Sequence, residues 1–198
     1  DEVGYIVPNP QIVNAMYFGV PQHRERIYIV GFRKDLGITA DDFVYPEQKE
    51  VTKKWIDVRE EKPVPAKYYL STTYQQTLIN HKARHAAKGN GFGYDIIPDD
   101  GVAHAIVVGG MGRESNLVID FRQKDLTPTT NIKGTVNTDG WRKMTPREWA
   151  RLQGYPDNFK IVVADASAYK QFGNSVAVPA IQATASQLLK SLNDKNIL

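Results

Sequence analysis

The sequence predicts an α/β chain with strands near its front, helices at its end and a loop-rich insert between them. Two β-branched or aromatic runs, at 11–15 and 25–32, read as strands. A full helix-start signature stands at Thr145, and an amphipathic helix follows from Pro179. From about Tyr45, Pro46, Pro63 and Pro65 interrupt a polar stretch that shows neither periodicity.

Each element has a local cause. Gln11 to Ala15 forms the first strand, and Glu25 to Phe32 the second. Tyr17 to Gln22 turns the chain between them at Gly19 and Pro21, so the two strands pair antiparallel around a functional loop. Ser71 to Lys88 predicts a helix capped by Ser71 or Thr72. Glycines at 89, 91 and 93 oppose its continuation, which makes 89–94 a loop or a tightly turned strand. Val102 to Val108 and Leu117 to Phe121 read as strands, with Met111 to Glu114 looping between them. Thr145 is an N-cap, Pro146 sits where its missing N–H costs nothing, and Glu148 closes a capping box. Gly154 ends that helix. In the last helix, Pro179 to about Leu192, the residues Ile181, Ala185, Leu188, Leu189 and Leu192 share a face, which predicts docking on a core.

Composition narrows the function classes. With 198 residues, 41% hydrophobic and 24% charged, the chain suits one large domain or two small ones. No apolar run nears the roughly 18 residues of a membrane span, so no membrane partner is expected. The opening Asp1-Glu2-Val3-Gly4 has neither the basic start nor the apolar run of a signal peptide. No methionine opens the sequence, which suits a truncated, trimmed or processed product. A formal charge of +3 permits an anionic partner without requiring one. Cysteine is absent, which excludes disulfides, thiolate metal sites and a thiolate nucleophile within these residues.

Two constellations carry chemistry. In Pro21-Gln22-His23-Arg24-Glu25-Arg26, strand alternation puts Arg24 and Arg26 on one side. Two guanidiniums there suit phosphate oxygens or a base carbonyl; a solvated edge strand with both paired to carboxylates is the other reading. Further on, Gly173-Asn174-Ser175 lies between two helices, either lining a ligand pocket or serving as a connector.

The segment 17–33, which contains Gln22, Arg24 and Arg26, resembles the Gln-x-Arg-x-Arg motif of DNA (cytosine-5) methyltransferases. Residues 145–157 resemble that family's Thr-Pro-Arg-Glu…Gly-Tyr-Pro-Asp motif, and Gln171 to Ser175 its closing motif. The order matches, and the variable stretch falls where the family places its target-recognition domain. The resemblance implies part of a doubly wound S-adenosylmethionine-dependent methyltransferase domain plus a small, irregular, mostly β recognition domain. It assigns 1–44 to the end of the catalytic domain, 45–165 to recognition and 166–198 to a return to the catalytic domain. Arg26 would contact the flipped cytosine near its O2, with Gln22 and Arg24 organising the pocket. Asn174 and Ser175 would help close the S-adenosylmethionine pocket, and 145–157 would be mainly structural. The implied partner is double-stranded DNA, in the bacterial cytoplasm, within a restriction-modification or DNA-modification system.

The middle adds its own signals. His81 to Lys88 is a basic patch, including Lys82, Arg84 and Lys88, followed at once by a glycine loop with aromatics, which suits close approach to phosphates. Arg113, Asn116 and Arg122 are further candidate base or phosphate contacts. The stretch is also similar to one in bacterial methyltransferases of CC(A/T)GG type. Where many family members hold a Thr-Leu pair, Ala105-Ile106 stands.

The family attacks cytosine C6 with a cysteine thiolate, on a base flipped out of the duplex. Its cofactor loop, Pro-Cys loop and Glu-Asn-Val motif do not occur here. The expectation is therefore a C-terminal fragment or a split subunit, inactive alone, that requires the N-terminal catalytic portion. Competing readings are a non-enzymatic sequence-specific DNA-binding module, a zinc site at His81 and His85, which lacks a third ligand, and a metal-dependent nuclease using Asp99, Glu114 and Asp120.

Overall fold

The computed structural model describes residues 4–109, 112–127 and 134–198. Met111, at the head of the expected 111–114 loop, lies outside them. The strands, all short, form four two-stranded sheets. β1 (Tyr5–Ile6) pairs antiparallel with β5 (Phe32–Arg33). β2 (Gln11–Asn14) pairs antiparallel with β4 (Glu25–Tyr28), in a register that sets Ile12 opposite Ile27 and Val13 opposite Arg26. β3 (Gln22–His23) runs parallel to β6 (Ala103–His104), stitching the first motif to the middle of the chain. β7 (Leu117–Ile119) and β8 (Trp141–Lys143) form an antiparallel pair.

Four α-helices complete the described residues. α1 (Thr72–Ala86) is capped by Ser71, whose hydroxyl accepts from Tyr74 N. α2 (Pro146–Leu152) starts on the expected capping box of Thr145 and Glu148, with proline in its first turn. α3 (Asp165–Asn174) and α4 (Val178–Asp194) follow. No helix among the described residues is long and apolar enough to cross a membrane.

Two of the regions where apolar residues gather position the site. The larger cluster joins Trp55, Ile97, Ile106 and Val118 from the middle to Trp149 and Leu152 of α2 and to Tyr169 and Phe172 of α3. Trp55 and Trp149 are at most 1% exposed, each burial contributing on the order of 3 kcal/mol. The second region packs Val13, Ala15 and Val20 on Ala177 and Ala180 of α4. It continues through Val30, Phe32 and Phe43 to Leu188 and Leu192.

Three expectations change in detail. The strand expected at 25–32 stops at Tyr28, and Phe32 instead pairs with β1. Val102 to Val108 keeps only Ala103–His104 in a ladder, because side chains of Gln22 and Arg24 capture the Ile106 peptide that a neighbouring strand would have used. On α4 the buried stripe runs through Ala180, Thr184 and Ser191, while Ile181 and Leu189 are 41% and 50% exposed. Ala180 packs on Val13, Ala15 and Val20, and Leu188 and Leu192 pack against the Val30–Phe43 cluster, which leaves Ile181 and Leu189 facing outward.

Candidate functional site

The first motif is held by its own side chains. Gln22 is fully buried: its Nε2 donates to Leu152 O at 2.8 Å and to Gln153 Oε1 at 3.3 Å, and its Oε1 accepts from Ile106 N at 3.0 Å. Arg24 is 5% exposed and donates to three carbonyls, Ile106 O at 2.7 Å, Gly173 O at 3.1 Å and Ser175 O at 2.8 Å. Its Nε is buried without a partner. Burial first, and then the Arg26 charge, push its pKa down to about 10, so Arg24 stays a cation at neutral pH. Arg26, in β4, is exposed and donates to Glu25 O at 2.6 Å. Neither arginine forms an ion pair among the described residues, unlike the edge-strand reading with carboxylate partners.

Arg24 and Arg26 face a single cavity of about 410 Å³, shared with Tyr28, Asn174, Ser175 and Ile181. That size lies within the range of small-molecule sites. Asn174 ends α3, and Ser175 caps it. The α3–α4 joint is fixed from below by Gln153, whose Nε2 donates to Phe172 O at 2.7 Å and to Ser175 O at 3.3 Å. Tyr155 reaches the same place, its hydroxyl 2.6 Å from Ser175 Oγ. Residues 145–157 gave only a structural expectation from sequence; Gln153 and Tyr155 were missed because nothing in their spacing links them to Ser175.

The candidate DNA contacts scatter. Lys82, Arg84 and Lys88 lie on α1 or just beyond it, all exposed. Lys82 donates to Tyr94 O at 3.0 Å and sits 4.7 Å over the Tyr94 ring, drawing the 89–94 loop onto the helix. Beside them Phe92 is 68% exposed. Arg113 is exposed and stacks 5.4 Å over the Tyr169 ring. Two candidates are engaged within the fold. Asn116 is fully buried, its side chain accepting from His104 N at 2.8 Å and donating to His104 O at 3.3 Å. Arg122 is committed to Asp120 through two side-chain bonds and to the carbonyls of Glu60 and Glu61.

The competing metal readings find no cluster. His81 and His85 stack at 4.4 Å, and no group of three His, Cys, Asp or Glu forms among the described residues. Glu114 is consumed by Lys143 and Tyr74, and Asp120 by Arg122 and Arg142.

Comparison with known proteins adds an independent line. The family model for C-5 cytosine-specific DNA methylase matches residues 1–190. The chain is 67% identical over 194 residues to the Type II methyltransferase M.HpaII of Haemophilus parainfluenzae, covering 98% of this chain and 54% of that protein. To the Type II methyltransferase M.SsoII of Shigella sonnei it is 37% identical over 193 residues, covering 98% and 47%. The chain thus spans about half the length of the curated relatives it matches. Among solved structures, the S. pombe Dnmt2 methyltransferase matches with a TM-score of 0.65 at 19% identity, over 97% of this chain and 59% of that one, a likeness of fold.

Proposed function

The chain belongs to the C-5 cytosine-specific DNA methylase family, and from that premise we propose that it serves the methylation of cytosine C5 in double-stranded DNA. Its share is DNA recognition together with part of the cytosine and cofactor pockets. S-adenosylmethionine, when bound, supplies the methyl group. Arg26, exposed at the cavity wall and without an ion pair among the described residues, donates to the flipped base near O2. Arg24 and Gln22 hold the Ile106 peptide against the α3–α4 joint, which fixes the spacing of the pocket walls. Asn174 and Ser175 line the cofactor side. Lys82, Arg84, Lys88 and Arg113 meet phosphates or base edges from the recognition part, residues 45–165. Residues 1–44 and 166–198 belong with the catalytic part.

These residues contain no cysteine, so the thiolate that adds to C6 comes from polypeptide outside them, in the same chain or a separate subunit. Relatives named Type II methyltransferases support a place in a bacterial, cytoplasmic restriction-modification system. One observation carries the reading: Arg24 bonds across 151 residues to Ser175 O, bringing the first and last motifs onto one cavity.

The test pairs the chain with a cysteine-bearing N-terminal methyltransferase portion and follows transfer of a labelled methyl group to duplex DNA. Cytosine-free control duplexes should take up no label, and cytosine C5 should carry it. Arg26→Ala should lower turnover roughly 100-fold while weakening duplex binding far less. Label on adenine, or transfer by the 198-residue chain alone, would overturn the assignment.

A further inference from the structure

We propose that Tyr155 is a positioning residue for the cofactor wall, its phenol orienting the Ser175 side chain; this rests on the functional reading above. Ser175 is gripped at two points. Its carbonyl accepts from Arg24 Nη2 at 2.8 Å and from Gln153 Nε2 at 3.3 Å, which fixes the backbone. Its hydroxyl meets Tyr155 at 2.6 Å and donates onward to Val176 O at 3.3 Å. Either hydroxyl can donate in the Tyr155–Ser175 bond, and in either direction it holds the Ser175 side chain. Two defined partners select one side-chain rotamer beside Asn174 on the cavity wall.

The surroundings place this hydroxyl independently of the bond it makes. The Tyr155 ring packs edge-on to Phe172 at 5.4 Å and lies 4.8 Å from Phe159. Tyr155 N donates to Ala150 O at 3.0 Å, closing the end of α2. Just before it, Gly154 has φ +79°, and a Cβ there would stand 2.4 Å from Pro179 Cδ at the start of α4. Glycine therefore lets the turn press against α4 and deliver the phenol to the α3–α4 joint. Removing the hydroxyl alone leaves the ring packing intact and frees Ser175 to rotate.

The test uses the chain reassembled with its cysteine-bearing portion, and compares Tyr155→Phe, Ser175→Ala and the double variant. Titration calorimetry with S-adenosylmethionine in the absence of DNA gives a readout separate from turnover. Each single variant should raise the cofactor Kd and KM about 3- to 10-fold, the worth of one hydrogen bond. The double variant should be no weaker than either single one, because both remove the same contact. For Tyr155→Phe, kcat at saturating cofactor and duplex affinity should stay within about twofold. Unchanged cofactor affinity in Tyr155→Phe, or additive losses in the double variant, would overturn the proposal. So would equal losses of cofactor and duplex affinity with a lowered Tm, which mark a merely structural role. An unaltered assembly that binds no S-adenosylmethionine would instead sink the functional reading on which the proposal stands.

Discussion

Two arginines two positions apart do different work because one is buried and one is not. Both line one cavity, yet Arg24 sits between two strands and Ile27 lines the same cavity, so strand alternation is not what brings the two arginines together. It could not show that Arg24 would give its guanidinium to three carbonyls. Asn116 and Arg122 were harder still, because polar residues in a loop-rich stretch look alike whether they face solvent or bridge backbone. For Arg122 the signal was Asp120, two residues earlier and fully paired with it. The distinction is measurable. Asn116→Ala should cost about 1–3 kcal/mol by stranding the His104 peptide groups, and should leave the salt dependence of duplex binding unchanged. If Arg113 meets a phosphate, Arg113→Ala should keep the Tm and reduce the salt slope by about one. Thermal melts and a binding series in increasing salt separate the two; a shallower slope for Asn116→Ala would restore it as a DNA contact.

At the scale of elements, α2 shows a sequence signature carrying more than it advertises. The capping box read from Thr145 and Glu148 is present, but Glu148 also accepts from Glu60 N at 3.1 Å and binds Arg142 through both oxygens. Arg142 in turn binds Asp120 at 3.0 Å, so the helix start is bolted to the β7–β8 pair through buried charges. Removing one partner strands the other. Glu148→Gln should therefore lower unfolding free energy by roughly 3–5 kcal/mol, read by chemical denaturation. Burial alone would raise the Asp120 pKa, yet hydrogen bonds from Arg122 and the Arg142 charge hold it down at about 2. A depressed folded pKa stabilises above the ordinary carboxylate value and loses that contribution as pH falls through the folded one. Stability should thus drop between about pH 4 and pH 2, and Asp120→Asn, already destabilised at neutral pH, should flatten that part of the curve. An unchanged acid limb would place the acid sensitivity elsewhere.

Across the whole molecule, the β2–β4 pair exposes a face that no other described residues cover. Ile12 and Ile27 stand opposite each other in register, yet are 62% and 64% exposed, and Ile29 continues the row at 66%. The other face of the pair packs Val13 against Ala177 and Ala180 of α4. Alternation in a sequence reports that two faces differ, but it is blind to which polypeptide covers them. That is why the strands were legible and their incomplete burial was not. On α4, Ile181 and Leu189 also point outward. Exposed apolar side chains in a row of this kind drive association unless a partner occupies them. The isolated chain should self-associate with rising concentration in sedimentation velocity, and Ile12→Lys with Ile27→Lys should shift it toward monomer without lowering its Tm. If the proposed cysteine-bearing portion docks on this row, adding it should compete with self-association. If the double lysine variant still assembled normally with that portion and remained fully active, this face would not be its docking site.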